Sequence, residues 1–568
     1  MAEVCKKVLS YGTNDLCRLF ESVSDGDTIV LEKDKIYDVW QDDAVWLKGY
    51  YCSNTAEIEL NPDGERKVAI FLKGKKNVTI DGNGATIMIH GVMTPLLFDK
   101  CENLLVENLK IDYFRPTESE FKILSNNNGE CVIKIAKESL YEIADDGIVW
   151  VSEKDRNGKY FWSYRYKDPN ILSMFFNTET EENKYMPKEE GDIRPSVPAF
   201  KVIEKIDDTT LRIRLNDPKA LFNEGDVIQS RCILRNQVGS FCNQCKNVYY
   251  YNLKIMAMHG LGILSQYCEN VTLSNLDCTP KEGRVLASNA DFFHFSGCKG
   301  KILIENCKAC GAHDDFVNVH GTHLRIVGKD EKEKSVTLRF MNVQTWGFDA
   351  FYPKDNVEFI KGKTLQPYAK AKVVKTERIS DTEVKLYLNK MPSEIKLNED
   401  AIENATWTPS LTVRNNFFGP SCGRGILCTT RKKVLIEGNI FYKNGGSVLC
   451  VEDDCNFWFE SGYTKDVEFR YNVIVSSAYG VSPSRDKNAP IPPVISISPK
   501  VLDENFNGYV HDKIVIKNNT FKCPVFKKNV LSVNYVNKFK LVNNSFDGEG
   551  KMNVYNVKSL TQKANKTV

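Results

Sequence analysis

One short pattern recurs along the chain and constrains its fold more than any other feature. Apolar and polar residues alternate, an asparagine or glycine follows, and an apolar residue closes the phrase, as in "KILIENCKA" (301–309). Alternation of period two predicts a short strand, and asparagine or glycine marks a corner that tolerates left-handed backbone. The copies lie at 77–87, 103–111, 247–255, 270–278, 301–309, 411–418, 433–441, 466–474, 513–521 and 538–546.

Neighbouring copies are often about 21–33 residues apart, which is the length of one repeat of a solenoid. Helical periodicity is nearly absent, so leucine-rich and ankyrin-type repeats are disfavoured. We therefore predict an all-β fold, a right-handed parallel β-helix whose coils stack at about 4.8 Å. The recurring asparagines are expected to form a ladder of side-chain amides between coils.

Two blocks interrupt the repeat and resemble each other. The segments 200–215 and 371–388 both show two alternating strands around a polar turn, which predicts small antiparallel β-barrels inserted into the helix. Such insertions usually project from one face of a solenoid, often the binding face. The predicted division is N-terminal coils at 1–111, barrel 1 at 112–240, central coils at 241–321, barrel 2 at 322–410 and C-terminal coils at 411–568.

Bulk properties exclude several classes of function. The 568 residues exceed one compact core, and a net charge of +2 gives no global field for nucleic acid or an anionic membrane. No apolar run approaches 18 residues, so no membrane span is expected, and "MAEVCKKVLSYG" is not a signal peptide as it stands. The 18 cysteines fall mostly in strand-like segments, which favours buried thiols. A zinc site from Cys242–Cys245 and Cys307–Cys310 is the alternative.

Three acids from neighbouring coils are the candidate catalytic residues. "ADFFHFSG" (290–297) aligns with "DDFVNVHG" (314–321) at an offset of 24 residues, one coil. This register stacks Asp291 on Asp315 and places Asp314 beside them. Neighbouring carboxylates repel each other, which raises the pKa of at least one of the three acids. A fold therefore keeps such a trio when catalysis needs it or when a cation neutralises it.

The same register places further polar residues around the acids. His294, Asn318 and His320 are predicted on the outer surface, while the phenylalanine and valine residues between them face inward. A calcium site on the acids is an alternative, which the nearby histidines make less attractive. A zinc site that uses His320 and His323 is another, although the spacing is not that of a helical zinc motif. We predict no metal and no cofactor.

A second stretch, "VLCVEDDCNFWFESG" (448–462), combines carboxylates with a tryptophan. Aromatic rings pack on the apolar faces of sugars while carboxylates bond the hydroxyl groups, so Glu452, Trp458 and Glu460 are candidate substrate-binding residues. "CGRGILCTTRKK" (422–433) is expected to place Arg424 and Arg431 near the same groove.

These motifs resemble those of known carbohydrate-active families. The Asp…Asp-Asp spacing is similar to that of β-helical polygalacturonases, but their G-H-G and R-I-K motifs are missing here. "DDFVNVHG", the later "WFESG" and a β-helix with two inserted barrels resemble glycoside hydrolase family 110, the bacterial exo-acting α-1,3-galactosidases. The resemblance covers nearly the whole chain.

The resemblance implies an inverting enzyme that releases terminal α-1,3-linked galactose from blood group B-type or linear glycans. Inversion pairs a protonated acid with a base that holds water, so we expect Asp314 to be the acid and Asp291 with Asp315 to form the base. The expected partner is a galactose-terminated oligosaccharide or glycoconjugate, and a homodimer is left open. The family suggests a periplasmic or extracellular location. A hydrolase or lyase for another polysaccharide and a non-catalytic carbohydrate-binding β-helix remain alternatives.

Overall fold

A computed structural model describes residues 6–8 (as backbone), 16–482, 491–523, 529–548 and 550–567. The predicted fold class is confirmed: the chain is nearly all β and is dominated by three long sheets. Neighbouring strands in these sheets are parallel, except that Val45–Leu47 and Glu460–Ser461 pair antiparallel with their neighbours. Successive strands pass from one sheet to the next, so each coil contributes one strand to each sheet. The described helices are an α-helix at Leu16–Glu21 and a 3-10 helix at Gln41–Asp43, and neither is long enough to cross a lipid bilayer.

The strands of the three sheets follow the order of the coils. The first sheet contains Lys6–Val8, Thr28–Val30, Thr79–Asp81, Glu102–Glu107, Lys246–Tyr251, Glu269–Ser274, Lys299–Glu305, Ser410–Arg414, Lys433–Glu437, Asp466–Arg470, His511–Lys517, Val536–Val542 and Val557–Lys563. The second sheet contains Ile36–Trp40, Thr86–His90, Lys110–Tyr113, Lys254–Ile255, Asp277–Cys278, Lys308–Ala309, Phe417–Phe418, Ile440–Tyr442, Val473–Val475, Thr520–Lys522, Ser545–Phe546 and Lys566–Thr567. The third sheet contains Val45–Leu47, Arg66–Lys73, Thr94–Asp99, Val238–Asn243, Leu261–Gln266, Phe293–Ser296, Val317–Thr322, Ile426–Cys428, Leu449–Val451, Ile495–Ile497, Leu531–Val533 and Met552–Val554, with Glu460–Ser461 added beside Val317–Thr322.

Asparagine ladders run along the corners of the helix, as the repeat predicts. Asn416, Asn439 and Asn472 are buried, and each donates its Nδ2 hydrogen to the Oδ1 of the asparagine one coil further on, at 2.9–3.1 Å. Asn103 and Asn247 continue a second, outer ladder with positive φ angles of 56° and 55°. Asparagine suits these corners because it tolerates left-handed backbone and its amide both donates and accepts a hydrogen bond.

The first interruption of the helix, predicted as a small barrel, is instead a pair of antiparallel sheets around one apolar core. The larger sheet has seven strands, in the spatial order Glu182–Tyr185, Ile171–Asn177, Asp226–Cys232, Glu118–Asn127, Glu130–Ile135, Thr210–Leu215 and Phe200–Lys205. The smaller sheet has three strands, Leu140–Ala144, Gly147–Val151 and Ser163–Arg165. The chain leaves the helix after Lys110–Tyr113 and returns at Val238–Asn243.

The second interruption is a closed antiparallel barrel with its own apolar core. Its strands follow the order Leu324–Asp330, Ser335–Arg339, Glu383–Leu388, Pro367–Arg378, Asn356–Ile360 and Ala401–Asn404. The chain leaves the helix after Val317–Thr322 and returns at Ser410–Arg414. We propose that the domains have the limits predicted from the sequence, because the chain leaves the helix and returns to it close to those limits at both insertions.

The cysteines that the structure describes are free thiols, and most are buried. Several line the helix interior one coil apart: Cys245 Sγ donates to the Phe98 carbonyl, and Cys268 Sγ donates to the Cys242 carbonyl. Each behaves as a small apolar side chain with a weak donor.

Candidate active site

The third sheet brings the three predicted acids together. Phe293 pairs with Val317 and His294 with Asn318, which is the predicted 24-residue register. Asp291 and Asp315 precede these two strands, and one carboxylate oxygen from each of these residues and from Asp314 lie within 4.8 Å of one another.

The acids differ in exposure and in surroundings. Asp291 and Asp315 are buried, while the side chain of Asp314 is one-third exposed. The backbone N–H of Asp315 donates to Asp291 Oδ1 at 3.2 Å. Burial raises the pKa of Asp291 to about 7, and the neighbouring charge of Asp314 adds to the effect. Burial likewise raises the pKa of Asp315 to about 7, although Arg424 opposes it.

Two arginines offset the charge of this cluster. Arg424 reaches both oxygens of Asp315, with Nε 2.7 Å from Oδ1 and Nη2 2.7 Å from Oδ2. Arg235 Nη2 lies 3.0 Å from Asp314 Oδ2. Arg424 was predicted near the groove and is found there, but it contacts an acid of the trio as well as lining the site. Arg235 was missed, because it lies on the return from the first insertion, outside every repeat.

A line of hydrogen bonds leads from Asp291 into the interior. Asp291 Oδ2 lies 2.7 Å from His294 Nδ1, and His294 Nε2 lies 2.9 Å from His320 Nε2. His320 Nδ1 lies 2.7 Å from the carbonyl oxygen of Gly321. Both histidine side chains are buried, and burial lowers the pKa of His294 to about 4 and lowers that of His320.

The prediction that His294, Asn318 and His320 lie on the outer surface is wrong, since all three are buried. They point away from the helix interior, as the alternation requires, but other parts of the chain cover them. The strand Glu460–Ser461 pairs antiparallel with the end of Val317–Thr322. Pairing of this kind joins residues about 140 positions apart and leaves no trace in a repeat pattern.

Glu460 connects the covering segment to the site. Its Oε1 accepts hydrogen bonds from Asn54 Nδ2 at 2.7 Å and from Asn318 Nδ2 at 3.4 Å, and lies 3.7 Å from His320 Nε2. Burial alone would raise the pKa of Glu460, but His320, Arg424 and other neighbours lower it. Asn54 is a second residue that the sequence did not indicate, since nothing near it belongs to the repeat.

The loop before Glu460 presents Trp458 to solvent, as the sequence suggested. Asp454 accepts three backbone hydrogen bonds from residues 456–458, at 2.6–3.0 Å, so its carboxylate fixes the loop. Trp458 is half exposed on this loop. Glu452 lies at the base of the loop and pairs with Lys500 at 3.3 Å.

A cavity of about 100 Å³ collects these groups. Its wall is formed by Asn54, Arg235, Asp291, Asp314, Asn318, Arg424, Thr429, Glu452, Asp454, Trp458 and Glu460. Of the predicted site residues, Asp315, His294 and His320 lie behind the wall rather than on it. Cavities of about 690 and 420 Å³ occur elsewhere, but neither is lined by the acid trio.

Arg431 was predicted beside the same groove, and the structure places it elsewhere. It is buried between two acids of the second barrel, with Nη2 3.0 Å from Glu358 Oε2 and in contact with Glu403. Arg431 is therefore a structural residue at the base of that barrel.

Comparisons with known proteins connect the chain to a family. A family model described as GLAA-B beta-barrel domain II matches residues 335–402, within the closed barrel. The chain is 36% identical over 497 residues to a protein named alpha-1,3-galactosidase A from Bacteroides fragilis, covering 86% of this chain and 76% of that protein. It is 31% identical over 510 residues to alpha-1,3-galactosidase B from Bacteroides thetaiotaomicron, covering 87% and 77%.

The chain belongs to the bacterial α-1,3-galactosidase A and B family, glycoside hydrolase family 110. The identity of 36% extends over most of both chains, so the membership concerns the whole architecture and not the barrel alone. A distant likeness also exists to the mannuronan C-5 epimerase AlgE6 A-module of Azotobacter vinelandii, with 11% identity, a TM-score of 0.39 and coverage of 98% and 99%.

The acid trio is also where a cation would be expected. In the part of the chain that the structure describes, Asp291, Asp314 and Asp315 are the acidic, histidine or cysteine side chains whose potential ligand atoms lie close enough together to bind one metal ion. Calcium prefers six to eight oxygen ligands. Arg235 contacts Asp314 and Arg424 contacts Asp315, so two guanidinium groups already offset the negative charge that a metal ion would otherwise neutralise.

Proposed function

We propose that this member of the family is an exo-acting glycoside hydrolase that releases terminal α-1,3-linked galactose. The relatives named alpha-1,3-galactosidase, at up to 36% identity over most of the chain, support the reaction and the sugar. A blood group B-type or a linear α-1,3-galactoside is the proposed substrate, which the family resemblance suggests.

The observation that carries the proposal is the pairing of Asp291 and Asp314 on one wall of the cavity. Asp314 is the more exposed of the two, and we assign it as the acid that protonates the departing oxygen. Asp291 is deeper, and its raised pKa of about 7 makes its carboxylate a competent base near neutral pH. Asp315 is bound by Arg424 behind the wall, so we assign it the role of assisting Asp291.

The sugar would be bound by the remaining groups of the wall. Trp458 offers a half-exposed aromatic face, and Glu452, Glu460 and Asn318 offer oxygen and amide atoms for hydroxyl groups. An apolar ring face beside convergent polar groups is the usual composition of a sugar site.

Inversion at the anomeric carbon is the proposed stereochemical course, as the resemblance implies. Inverting enzymes usually hold their two carboxyl groups about 6.5–9.5 Å apart, and retaining enzymes about 5 Å apart. Proton NMR of the first product measures the anomeric configuration of the released galactose. Release of β-galactose would support inversion, and release of α-galactose would indicate a retaining mechanism.

The test of the function is galactose release from a panel of α-galactosides. Wild type is expected to release galactose from α-1,3-linked substrates, and Asp314→Asn is expected to lose roughly 10²- to 10⁴-fold in rate. Asp208→Asn is the matched control, because this isosteric change lies on a side chain that is 96% exposed on the first insertion. Equal release by wild type and Asp314→Asn would contradict the assignment of the acid. Binding without release would indicate a non-catalytic module, and an ultraviolet-absorbing product would indicate a lyase.

A further inference from the structure

The carbonyl of Gly321 ends a hydrogen-bond line that begins at an active-site acid. The line runs from Asp291 Oδ2 through both ring nitrogens of His294 and of His320, with successive distances of 2.7, 2.9 and 2.7 Å. The two imidazole rings stand nearly perpendicular, at 82°, with centroids 4.9 Å apart. Each ring therefore links two partners. Whether one ring nitrogen donates or accepts a hydrogen bond fixes the role of the other nitrogens in the line.

The end of the line determines where its protons lie. A carbonyl oxygen can only accept, so His320 Nδ1 must carry the hydrogen that it donates to Gly321. If His320 is neutral, its Nε2 has no hydrogen and must accept one from His294 Nε2. A neutral His294 then has a bare Nδ1, and only a protonated Asp291 can donate to it. With neutral rings, the hydrogen-bond line is complete only if Asp291 is a carboxylic acid.

We propose that Asp291, His294 and His320 form a proton relay that stores one proton beside the cavity and lets Asp291 alternate between acid and carboxylate. This inference rests on the proposed function, because it concerns how Asp291 becomes the base for the attacking water. His294 and His320 are positioning residues, since neither lies on the cavity wall.

The alternate state is reached by two coupled transfers. Asp291 Oδ2 gives its proton to His294 Nδ1, and His294 gives its Nε2 proton to His320 Nε2. The result is an Asp291 carboxylate, a neutral His294 and a His320 imidazolium that still donates to Gly321, with the total charge unchanged. Glu460 Oε1 lies 3.7 Å from His320 Nε2 and stabilises the imidazolium. Asp291 can then receive a proton from water without prior exchange with solvent. After the reaction Asp291 passes that proton to the Asp314 carboxylate or to solvent, and the stored proton returns from His320 through His294 to Asp291.

The surroundings of the relay favour storage of the proton on Asp291 at rest. The charged or titratable groups that act on Asp291 are Asp314, Asp315, Glu460, Arg235, Arg424 and His294. Burial disfavours an imidazolium at either histidine and a carboxylate at Asp291, in agreement with the neutral line. Asp315 has Arg424 to stabilise its carboxylate, whereas the partner of Asp291 Oδ2 is an imidazole.

The first test needs no substrate. In full-length protein labelled with ¹⁵N-histidine, at neutral pH, His294 is expected to be protonated at Nε2 and bare at Nδ1, and His320 the reverse. The chain has seven histidines, so His294→Asn and His320→Asn assign the two signals by their loss. Infrared difference spectra of wild type against Asp291→Asn are expected to show one protonated carboxyl group lost. A neutral His320 with bare Nδ1, or no such carboxyl band, would overturn the relay.

The second test is kinetic and uses His320→Phe, which retains a buried ring but cannot take a proton. Wild type is expected to keep its kcat as pH falls toward 6, because the proton leaves Asp291 internally. In the variant Asp291 must lose its proton to solvent, so the acid limb of kcat moves to higher pH and kcat falls roughly 100-fold at most, with little change in KM. His259→Phe, a buried histidine bonded to Thr117, is the control.

An unmoved acid limb in His320→Phe would overturn the relay, as would the same shift in His259→Phe. The two proposals fail separately. If wild type releases no galactose, the proposed function fails while the tautomers can still be measured. If wild type releases galactose but His294 is protonated at Nδ1 beside a neutral His320, the relay alone is rejected.

Discussion

Arg424 binds Asp315 through both carboxylate oxygens, with Nε 2.7 Å from Oδ1 and Nη2 2.7 Å from Oδ2. The backbone N–H of Arg424 adds a third contact to Oδ1 at 3.1 Å. Asp315 is thus held behind the cavity wall, and Asp291, one coil earlier, is the member of the stacked pair that reaches the cavity. Asp291 and Asp315 occupy equivalent positions in the repeat, and the guanidinium of Arg424 beside Asp315 makes their surroundings different.

Removal of Arg424 is expected to destabilise the fold. Arg424→Met leaves the buried Asp315 carboxylate without its partner, which typically costs about 3–5 kcal/mol. The control is Arg339→Met, which breaks a pair with Glu383 on the surface of the second barrel and should cost about 0–1 kcal/mol. The midpoints of urea unfolding measure both. Similar losses in the two variants would show that Arg424 does not neutralise a buried charge.

The contribution of Asp291 to stability is expected to fall as pH rises from about 4 to about 7. The folded pKa of Asp291 is raised to about 7 from an unfolded value near 3.9, so the native state binds more protons across that window. This stabilising contribution is complete below about pH 4 and is lost as pH rises through the folded pKa. Asp291→Asn removes this pH-dependent contribution, and its stability relative to wild type should rise by up to about 4 kcal/mol between pH 4 and pH 8. Identical pH dependence in wild type and variant would refute this, and Asp208→Asn should match wild type throughout.

Loss of the Trp458 ring is expected to weaken substrate binding and spare the chemistry. Aromatic contacts of this kind are worth about 0.5–1.5 kcal/mol beyond area burial, so Trp458→Ala should raise KM roughly 2- to 10-fold with kcat little changed. Phe457→Ala is the control, because Phe457 is an exposed neighbour on the same loop that does not line the cavity. Steady-state kinetics on an α-1,3-galactoside measure both. A large loss of kcat in Trp458→Ala would show that the ring acts on the reacting atoms.

Chelation is expected to leave activity unchanged. Arg235 and Arg424 already contact two acids of the trio, so galactose release should persist after EDTA treatment and gel filtration. Loss of activity that calcium restores would instead assign the trio to a cation.

Much of this architecture could be predicted because its signals are local and repeated. The alternation around each asparagine predicts the strand, the corner and the amide ladder of one coil. The 24-residue offset predicts which residues of adjacent coils become neighbours. The acid trio follows from that register alone. The all-β character of the second insertion could be predicted for the same reason, since its strands alternate apolar and polar residues between polar turns.

The sequence by itself determined the coil register, and with it the contact of Asp291 with Asp315 and of His294 with Asn318. Only the tertiary structure decided which of these residues face the cavity, because burial depends on segments that cross from distant parts of the chain. Asn54, Arg235 and Glu460 lie on segments outside the repeat, and no periodic pattern encodes the positions of these segments. The proton line to Gly321 is decided in the same way, since it depends on distances of about 3 Å that register alone does not determine.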